Sequence, residues 1–147
     1  MNHRHREDKP RRNPASPQQD FRRVGNIFPN LLKEVEKFPR FSVYGETDSM
    51  NVVVSWGSTK GAILDAIKDL DVEFLHVKYL EPFSDGIKEN LLRKNIILVE
   101  NSSTGQLAGV ISKHTGMFIQ DKNKILRYDG RPFLADELRK EIEKRLI

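Results

Sequence analysis

The segment 95–109 constrains the fold most, because it joins an unbroken apolar run, a short polar turn and a helical pattern. Residues 96–99 are all apolar, as expected of a strand that is buried on both faces of a parallel sheet. Small polar residues follow up to Gly105, and apolar residues then recur with the period of a helix. This order presents backbone N–H groups and hydroxyls at one edge of a sheet, which suits an anion or a polar partner surface.

Strand and helix patterns alternate at least three times from residue 51 onwards. Strands are predicted at 51–55, 72–80 and 95–100, with shorter ones at 41–44, 117–120 and 124–128. The apolar faces of the predicted helices are Ile63, Leu64, Ile67 and Leu70, then Ile87, Leu91 and Leu92, then Leu107, Ala108, Val110 and Ile111, and last Leu134, Leu138, Ile142 and Leu146. This alternation predicts an α/β fold with a mostly parallel sheet and helices on both faces.

The helix ends carry their own signals. Ser58 or Thr59 is expected to cap the first helix, and Ser84 or Asp85 the second. Gly116 is expected to end the helix that follows Gly105.

The net charge of +4 is concentrated at the amino-terminal end of the chain. Residues 1–25 contain seven basic and three acidic residues, which leaves 18 of each in the remainder. This arm either binds nucleic acid nonspecifically or is a solvated tail. Its composition favours disorder at 1–25, and the sequence predicts a linker helix at 26–40 and one α/β domain at 41–147.

Several classes of protein are excluded or made improbable by composition. The chain has no cysteine, so disulfides and thiolate-bound iron–sulfur clusters are excluded. No apolar run approaches the roughly 20 residues needed to span a bilayer, and the polar, basic start does not resemble a signal peptide. We therefore expect a cytoplasmic protein.

Two polar turns follow two of the predicted strands and define the candidate site. If strands 73–79 and 95–100 flank strand 51–55, both turns lie beside a topological switch point, where open α/β sheets bind ligands. The alternative is that these are ordinary helix caps facing solvent or a neighbouring subunit. The predicted interface or anion-binding residues are Gly57, Ser58, Thr59, Lys60, Asn101, Ser102, Ser103, Thr104, Gly105 and Gln106.

No catalytic or metal-binding set emerges from the sequence. The glycine signatures GxGxxG and GxxxxGK[ST] are missing, and the serines do not lie in a GxSxG motif. His76 is interpreted as a hydrogen-bonded structural residue, and Lys60 as either an anion contact or a surface lysine. Glu81 and Glu100 lie at strand ends and could approach each other, although solvated or capping roles are the simpler interpretation.

Four motifs, in order, resemble the C-terminal domain of the alpha subunit of 2-oxoacid:ferredoxin oxidoreductases. They are WGSTKG at 56–61, FLHVKYLEPF at 74–83, ILVENSSTGQLAG at 97–109 and ILRYDGRPF at 125–133. The match covers about residues 45–147. That domain is similar to the transketolase C-terminal domain, so the resemblance implies a three-layer α/β/α fold. It implies five strands, of which the first, at 41–44 here, is antiparallel.

The resemblance also implies a function, and it implies that parts of the enzyme are supplied by other chains. The family oxidatively decarboxylates 2-oxoacids to acyl-CoA with thiamine diphosphate, Mg and iron–sulfur clusters. The pyrimidine-binding and diphosphate-binding domains are not in this sequence, so we expect those cofactors only in partner chains and no activity from this chain alone. The implied role is a noncatalytic domain or split alpha subunit that serves assembly with other oxidoreductase subunits. The alternative is a stand-alone module that binds an anion such as CoA at the two turns, and a homo-oligomer also remains open.

Overall fold

The computed structural model describes residues 29–31, 33–34 and 37–147. The chain divides into two units, Met1–Phe38 and Pro39–Ile147. In the first unit, residues 29–31 and 33–34 are helical, within the linker helix predicted at 26–40. Residues 37–40 form a turn and a bend instead of continuing that helix. The tail predicted at 1–25 lies outside the described residues.

The second unit alternates strands and helices as the sequence predicts. Its elements are β1 (Phe41–Gly45), β2 (Asn51–Trp56), α1 (Lys60–Ala66), β3 (Glu73–Val77), α2 (Asp85–Leu91), β4 (Asn95–Glu100), α3 (Gln106–Thr115), β5 (Lys124–Leu126) and α4 (Ala135–Glu143). Short 3-10 turns, Gly57–Thr59 and Asp121–Asn123, precede α1 and β5. None of these helices is long and apolar enough to cross a membrane.

The five strands form one mixed sheet in the order β1-β3-β2-β4-β5. Strand β1 runs antiparallel to β3, and all other neighbours are parallel. Val54 of β2 lies opposite Leu75 on one side and opposite Leu98 on the other. The predicted mostly parallel sheet with an antiparallel first strand is therefore confirmed.

Alternating side chains of the buried strands supply two separate cores. Val53 and Phe74 face one side of the sheet, where α1 and α4 pack through residues such as Ile63 and Ile142. The other core is formed by Val52, Val54, Leu75, Val77, Ile87, Leu91, Leu98, Leu107, Ala108, Ile111 and Ile119. Helices α2 and α3 cover that face, which gives the three layers expected of an α/β/α domain.

Thr59 and Ser84 occupy the predicted N-cap positions of α1 and α2, but neither side chain makes the expected cap hydrogen bond. Thr59 instead lies within a 3-10 turn, where its hydroxyl contacts the Ser55 hydroxyl and donates to the Trp56 carbonyl at 3.2 Å. No Ser58, Thr59 or Ser84 side chain makes a cap hydrogen bond. The 3-10 turn ends at Thr59, so α1 begins directly after the second of the two predicted caps. The predicted end of α3 is confirmed, because Gly116 has φ 75° and donates its N–H to the Ser112 carbonyl.

Two further predictions about local structure are wrong. Residues 117–120 do not form a strand, although Ile119 is buried and Phe118 is exposed. The alternation arises because every second side chain packs against the core that α3 covers. The strand that pairs with β4 is β5, at Lys124–Leu126. Leu92 is 54% exposed because α2 ends at Leu91 and the chain becomes extended.

A network of asparagine amides ties the final residues to the amino-terminal edge of the sheet. Asn95 Nδ2 donates to Asn51 Oδ1 at 2.9 Å and to the Arg145 carbonyl at 2.7 Å. Asn123 Nδ2 donates to Asn95 Oδ1 at 3.0 Å, and Ile147 N donates to Asn51 Oδ1 at 3.1 Å. These bonds fix the end that lies opposite the candidate site.

Candidate functional site

The two predicted turns lie side by side at the carboxyl ends of β2 and β4. These strands are adjacent and parallel, so the segments that follow them leave the same edge of the sheet. After β2 the chain proceeds to β3 on one side, whereas after β3 it crosses to β4 on the other. The edge between β2 and β4 is therefore the predicted switch point.

Polar contacts with residues of β2 and β3 hold the first turn in place. Gly57 has φ 70°, a conformation that favours glycine, and its carbonyl lies 3.1 Å from His76 Nε2. Thr59 is buried by its contacts with Ser55, while Gly57 and Ser58 are exposed. The turn thus has a rigid base and an exposed tip.

His76 is a titratable group in direct contact with this turn. Burial lowers its pKa below the usual 6.5, and the cationic side chains of Lys60 and Lys78 lower it further. The hydrogen bond to the Gly57 carbonyl acts in the opposite direction. The imidazole is consequently neutral at pH 7 and is suited to supporting the turn, as its structural interpretation predicts.

The second turn is organised by a buried carboxylate at the N-terminus of α3. Glu100 is 3% exposed, and its Oε2 accepts a hydrogen bond from Leu107 N at 3.0 Å. Ser102 Oγ accepts one from Gly105 N at 2.9 Å. Gly105 has φ 65°, and a Cβ there would lie 3.2 Å from Leu98 Cδ2, so the position needs glycine.

The Glu100 carboxylate changes what this helix N-terminus can bind. It takes one of the backbone N–H groups that an anion would use. Glu100 Oε1 is also buried and has no hydrogen-bond partner among the described residues. The second turn therefore has one fewer free backbone N–H group for an anion than an uncapped helix N-terminus would have.

Most predicted site residues are available to a partner. The exposed ones are Gly57, Ser58, Asn101, Ser103, Thr104 and Gln106, the half-buried ones are Lys60 and Ser102, and the buried ones are Thr59 and Gly105. Lys60 lies over the Tyr44 ring, with Nζ 4.6 Å from its centroid. The two turns therefore present a polar surface, and the buried members hold its shape.

A third segment, which the site prediction did not include, extends this surface. The loop after β5 forms a cleft of about 490 Å³ with the second turn, lined by Asn101, Arg127, Tyr128, Gly130, Arg131 and Pro132. Tyr128 is 77% exposed, and Arg131 is paired with Asp129 at 2.6 Å. The residues Asp-Gly-Arg-Pro at 129–132 are typical of a turn, but the position of this turn depends on β5 pairing with β4.

The two glutamates at strand ends have separate roles. Glu100 caps α3, whereas Glu81 Oε1 lies 3.3 Å from His114 Nε2. The His114 ring stacks on Phe83, with centroids 4.6 Å apart. No group of three or more metal-binding side chains occurs within the described residues.

Comparisons with known proteins agree on one class. No family model matches the chain. The 2-oxoacid:ferredoxin oxidoreductase alpha subunit of Saccharolobus solfataricus is 36% identical over 118 residues, and subunit alpha of enzyme 1 from Sulfurisphaera tokodaii is 32% identical over 116 residues. Each alignment covers 76% of this chain and 18% of the relative. A solved 2-oxoglutarate:ferredoxin oxidoreductase from Magnetococcus marinus matches 90% of this chain and 24% of its own, with 20% identity and a TM-score of 0.67.

The fold and its switch-point turns define an α/β domain of the type found in 2-oxoacid oxidoreductases. By sequence, the chain is homologous to a part of 2-oxoacid:ferredoxin oxidoreductase alpha subunits. It spans about a fifth of the length of the curated relatives that it matches.

Proposed function

We propose that the chain is a noncatalytic domain or split alpha subunit of a thiamine-diphosphate-dependent 2-oxoacid:ferredoxin oxidoreductase. The observation that carries this proposal is the 36% identity over 118 residues to an alpha subunit of which the chain covers only 18%. Thiamine diphosphate, Mg and iron–sulfur clusters then belong to the chains that contain the other domains. The assembled enzyme converts a 2-oxoacid to acyl-CoA in the cytoplasm, and this chain serves its assembly.

The polar surface at the carboxyl edge supports a role in subunit contact. Ser58, Ser103 and Gln106 are exposed on turns whose buried residues are hydrogen-bonded within the chain. Such a surface is preorganised, so little ordering entropy is lost when a partner binds. Tyr128, exposed beside the second turn, is a residue type enriched in the centres of interfaces.

Co-purification from the source cell tests the proposal. A tagged copy of the chain is expected to recover thiamine-diphosphate-binding oxidoreductase chains. The double variant Ser58→Arg/Gln106→Arg should lose them, because it adds bulk and charge to both turns. Thr47→Arg/Gln120→Arg is the matched control, since these exposed residues lie elsewhere on the domain. Recovery of the chain free of any such subunit would contradict the proposal.

The alternative, a CoA-binding module, can be tested at residues of the same two turns. Titration with CoA is expected to leave the amide resonances of Ser58 and Thr104 unchanged, because Glu100 already occupies the N-terminus of α3. Saturable shifts at both amides would favour the alternative.

A further inference from the structure

Strand β1 presents an open edge of the sheet. Within the described part of the chain it pairs only with β3. Lys78 N donates to the Arg40 carbonyl at 2.8 Å, so the hydrogen-bonded pairs of this ladder begin with these two residues. The alternation of an antiparallel ladder then directs the backbone groups of Phe41, Val43 and Gly45 away from β3. These groups can accept another strand.

Three cations lie along one face of this edge, which we call the basic face: Arg40, Lys60 and Lys78. Arg40 and Lys78 are cross-strand neighbours, and the period of two places them on the same face as Tyr44. Lys60 reaches that face from α1, with Nζ 4.6 Å from the Tyr44 ring centroid. None of the three forms a salt bridge with a carboxylate of the described residues.

The two charged groups that perturb the pKa of His76, which lies next to the basic face, are both cations. They are Lys60 and Lys78, and both lower that pKa. Lys60 likewise lowers the pKa of Tyr44. A carboxylate close to this cluster would act in the opposite sense on the imidazole.

The other face of β1 is apolar. Phe41 packs partly buried against the core that α2 covers, and a Cβ added at Gly86 would lie 2.9 Å from Phe41 Cε1. Val43 points to the same side by alternation and is half-buried. The edge thus offers unpaired backbone groups between one basic and one apolar face.

We propose that β1 is a docking edge for an extended segment of a partner protein in which acidic residues alternate with apolar ones. The segment adds a strand beside β1 by main-chain hydrogen bonds, its carboxylates meet the basic face, and its apolar side chains lie beside Phe41 and Val43. This inference goes beyond the proposed function and stands on a different edge of the sheet. Its test contains no oxidoreductase component, so the two can fail separately.

Two alternative roles for the three cations of the basic face lead to different expectations. Lysines beside an edge strand also prevent self-association, in which case the edge binds no strand. The three cations could instead contact single-stranded nucleic acid, which would require no main-chain pairing.

The probe is a synthetic peptide of alternating glutamate and valine, titrated into the full chain and followed by fluorescence anisotropy and amide resonances. Two peptides of equal length serve as controls, one with glutamine in place of glutamate and one N-methylated along its pairing edge. We expect saturable binding of the probe with shifts at the Val43 and Gly45 amides. Either control peptide should bind about tenfold more weakly or worse.

Variants of the chain complete the test. Arg40→Gln/Lys60→Gln/Lys78→Gln should weaken binding of the probe about tenfold, as the loss of three solvent-accessible ion pairs would. The control Lys88→Gln/Lys113→Gln/Lys140→Gln removes the same charge from positions elsewhere on the domain and should leave binding unchanged. Equal weakening by both triple variants, equal binding of the N-methylated peptide, no binding of the probe, or tighter binding of an oligouridine would each overturn the proposal.

Discussion

Single residues set the chemistry of the candidate site, and Glu100 has the largest effect. A buried carboxylate is retained in proteins when it is hydrogen-bonded, and here it accepts the Leu107 N–H at the start of α3. It converts a helix N-terminus that would attract anions into one that is already capped. This is the physical reason for preferring a subunit contact over an anion at the second turn.

The Glu100 cap can be tested through stability. Glu100→Ala should lower the free energy of unfolding by about 1–3 kcal/mol, because it leaves the buried Leu107 N–H without its acceptor. Glu100→Gln keeps an acceptor oxygen and should lose less. Urea unfolding of both variants is the measurement, and an unchanged midpoint in Glu100→Ala would show that the bond contributes nothing.

His76 should make stability depend on pH. Its folded pKa lies below the unfolded value of about 6.5, so the unfolded chain binds the proton more readily. The stability that the neutral imidazole allows is therefore complete above about pH 6.5 and declines as the pH falls below it. His76→Gln should reduce the loss of stability between about pH 7.5 and pH 5, measured by urea unfolding. An identical loss in wild type and variant would contradict the assignment.

At the scale of elements, helix α3 contains one glycine and is ended by another. Replacing each with alanine is expected to change the free energy of unfolding in opposite directions. Gly116 has φ 75° at the C-terminal cap, whereas Gly109 lies in the exposed middle of the helix, and an added Cβ would meet nothing within 4 Å at either position. Gly109→Ala should raise the free energy of unfolding by about 0.5–1 kcal/mol through helix propensity. Gly116→Ala should lower it by about 1 kcal/mol, because alanine disfavours the left-handed conformation.

Thermal or urea unfolding of the two glycine variants is the measurement, and each is the control for the other. The substitution is the same and neither site is crowded, so backbone conformation alone separates them. Changes of the same sign would contradict the assigned end of α3.

The elements that the sequence predicts correctly are those with strong periodicity. Burial produces these patterns, and it can be recognised from the type of side chain alone. Examples are the apolar runs of β2 and β4 and the apolar stripe that contains Leu138 and Ile142. The missing cap hydrogen bonds at Ser58 and Thr59, and the missing strand at 117–120, have a different origin. A 3-10 turn and a ladder position depend on neighbouring segments, which local patterns do not encode.

The site was predictable in part for the same reason. The two turns were found because each follows a buried strand, and sheet order brings them together. The part played by Tyr128 depends on β5 lying next to β4, and the asparagine network depends on the position of the final residues. Long-range contacts of this kind leave no periodic signal in the sequence.

At the scale of the whole molecule, the α/β domain has a polar surface at the carboxyl ends of β2 and β4, an edge strand β1, and an opposite end that is held by the asparagine network. The alignment to about a fifth of an alpha subunit and the edge of exposed turns lead to the same conclusion. In this account the chain supports a catalyst whose reacting groups reside in other domains.

The most direct test is an assay of 2-oxoacid-dependent electron transfer with and without the partner chains. The purified chain, supplied only with thiamine diphosphate and Mg²⁺, should consume no 2-oxoacid. Adding it to the thiamine-diphosphate-binding chains recovered with it should raise their CoA-dependent reduction of ferredoxin, and Ser58→Arg/Gln106→Arg should not. Turnover of a 2-oxoacid by the chain alone, or partner activity that is the same with and without it, would contradict the account.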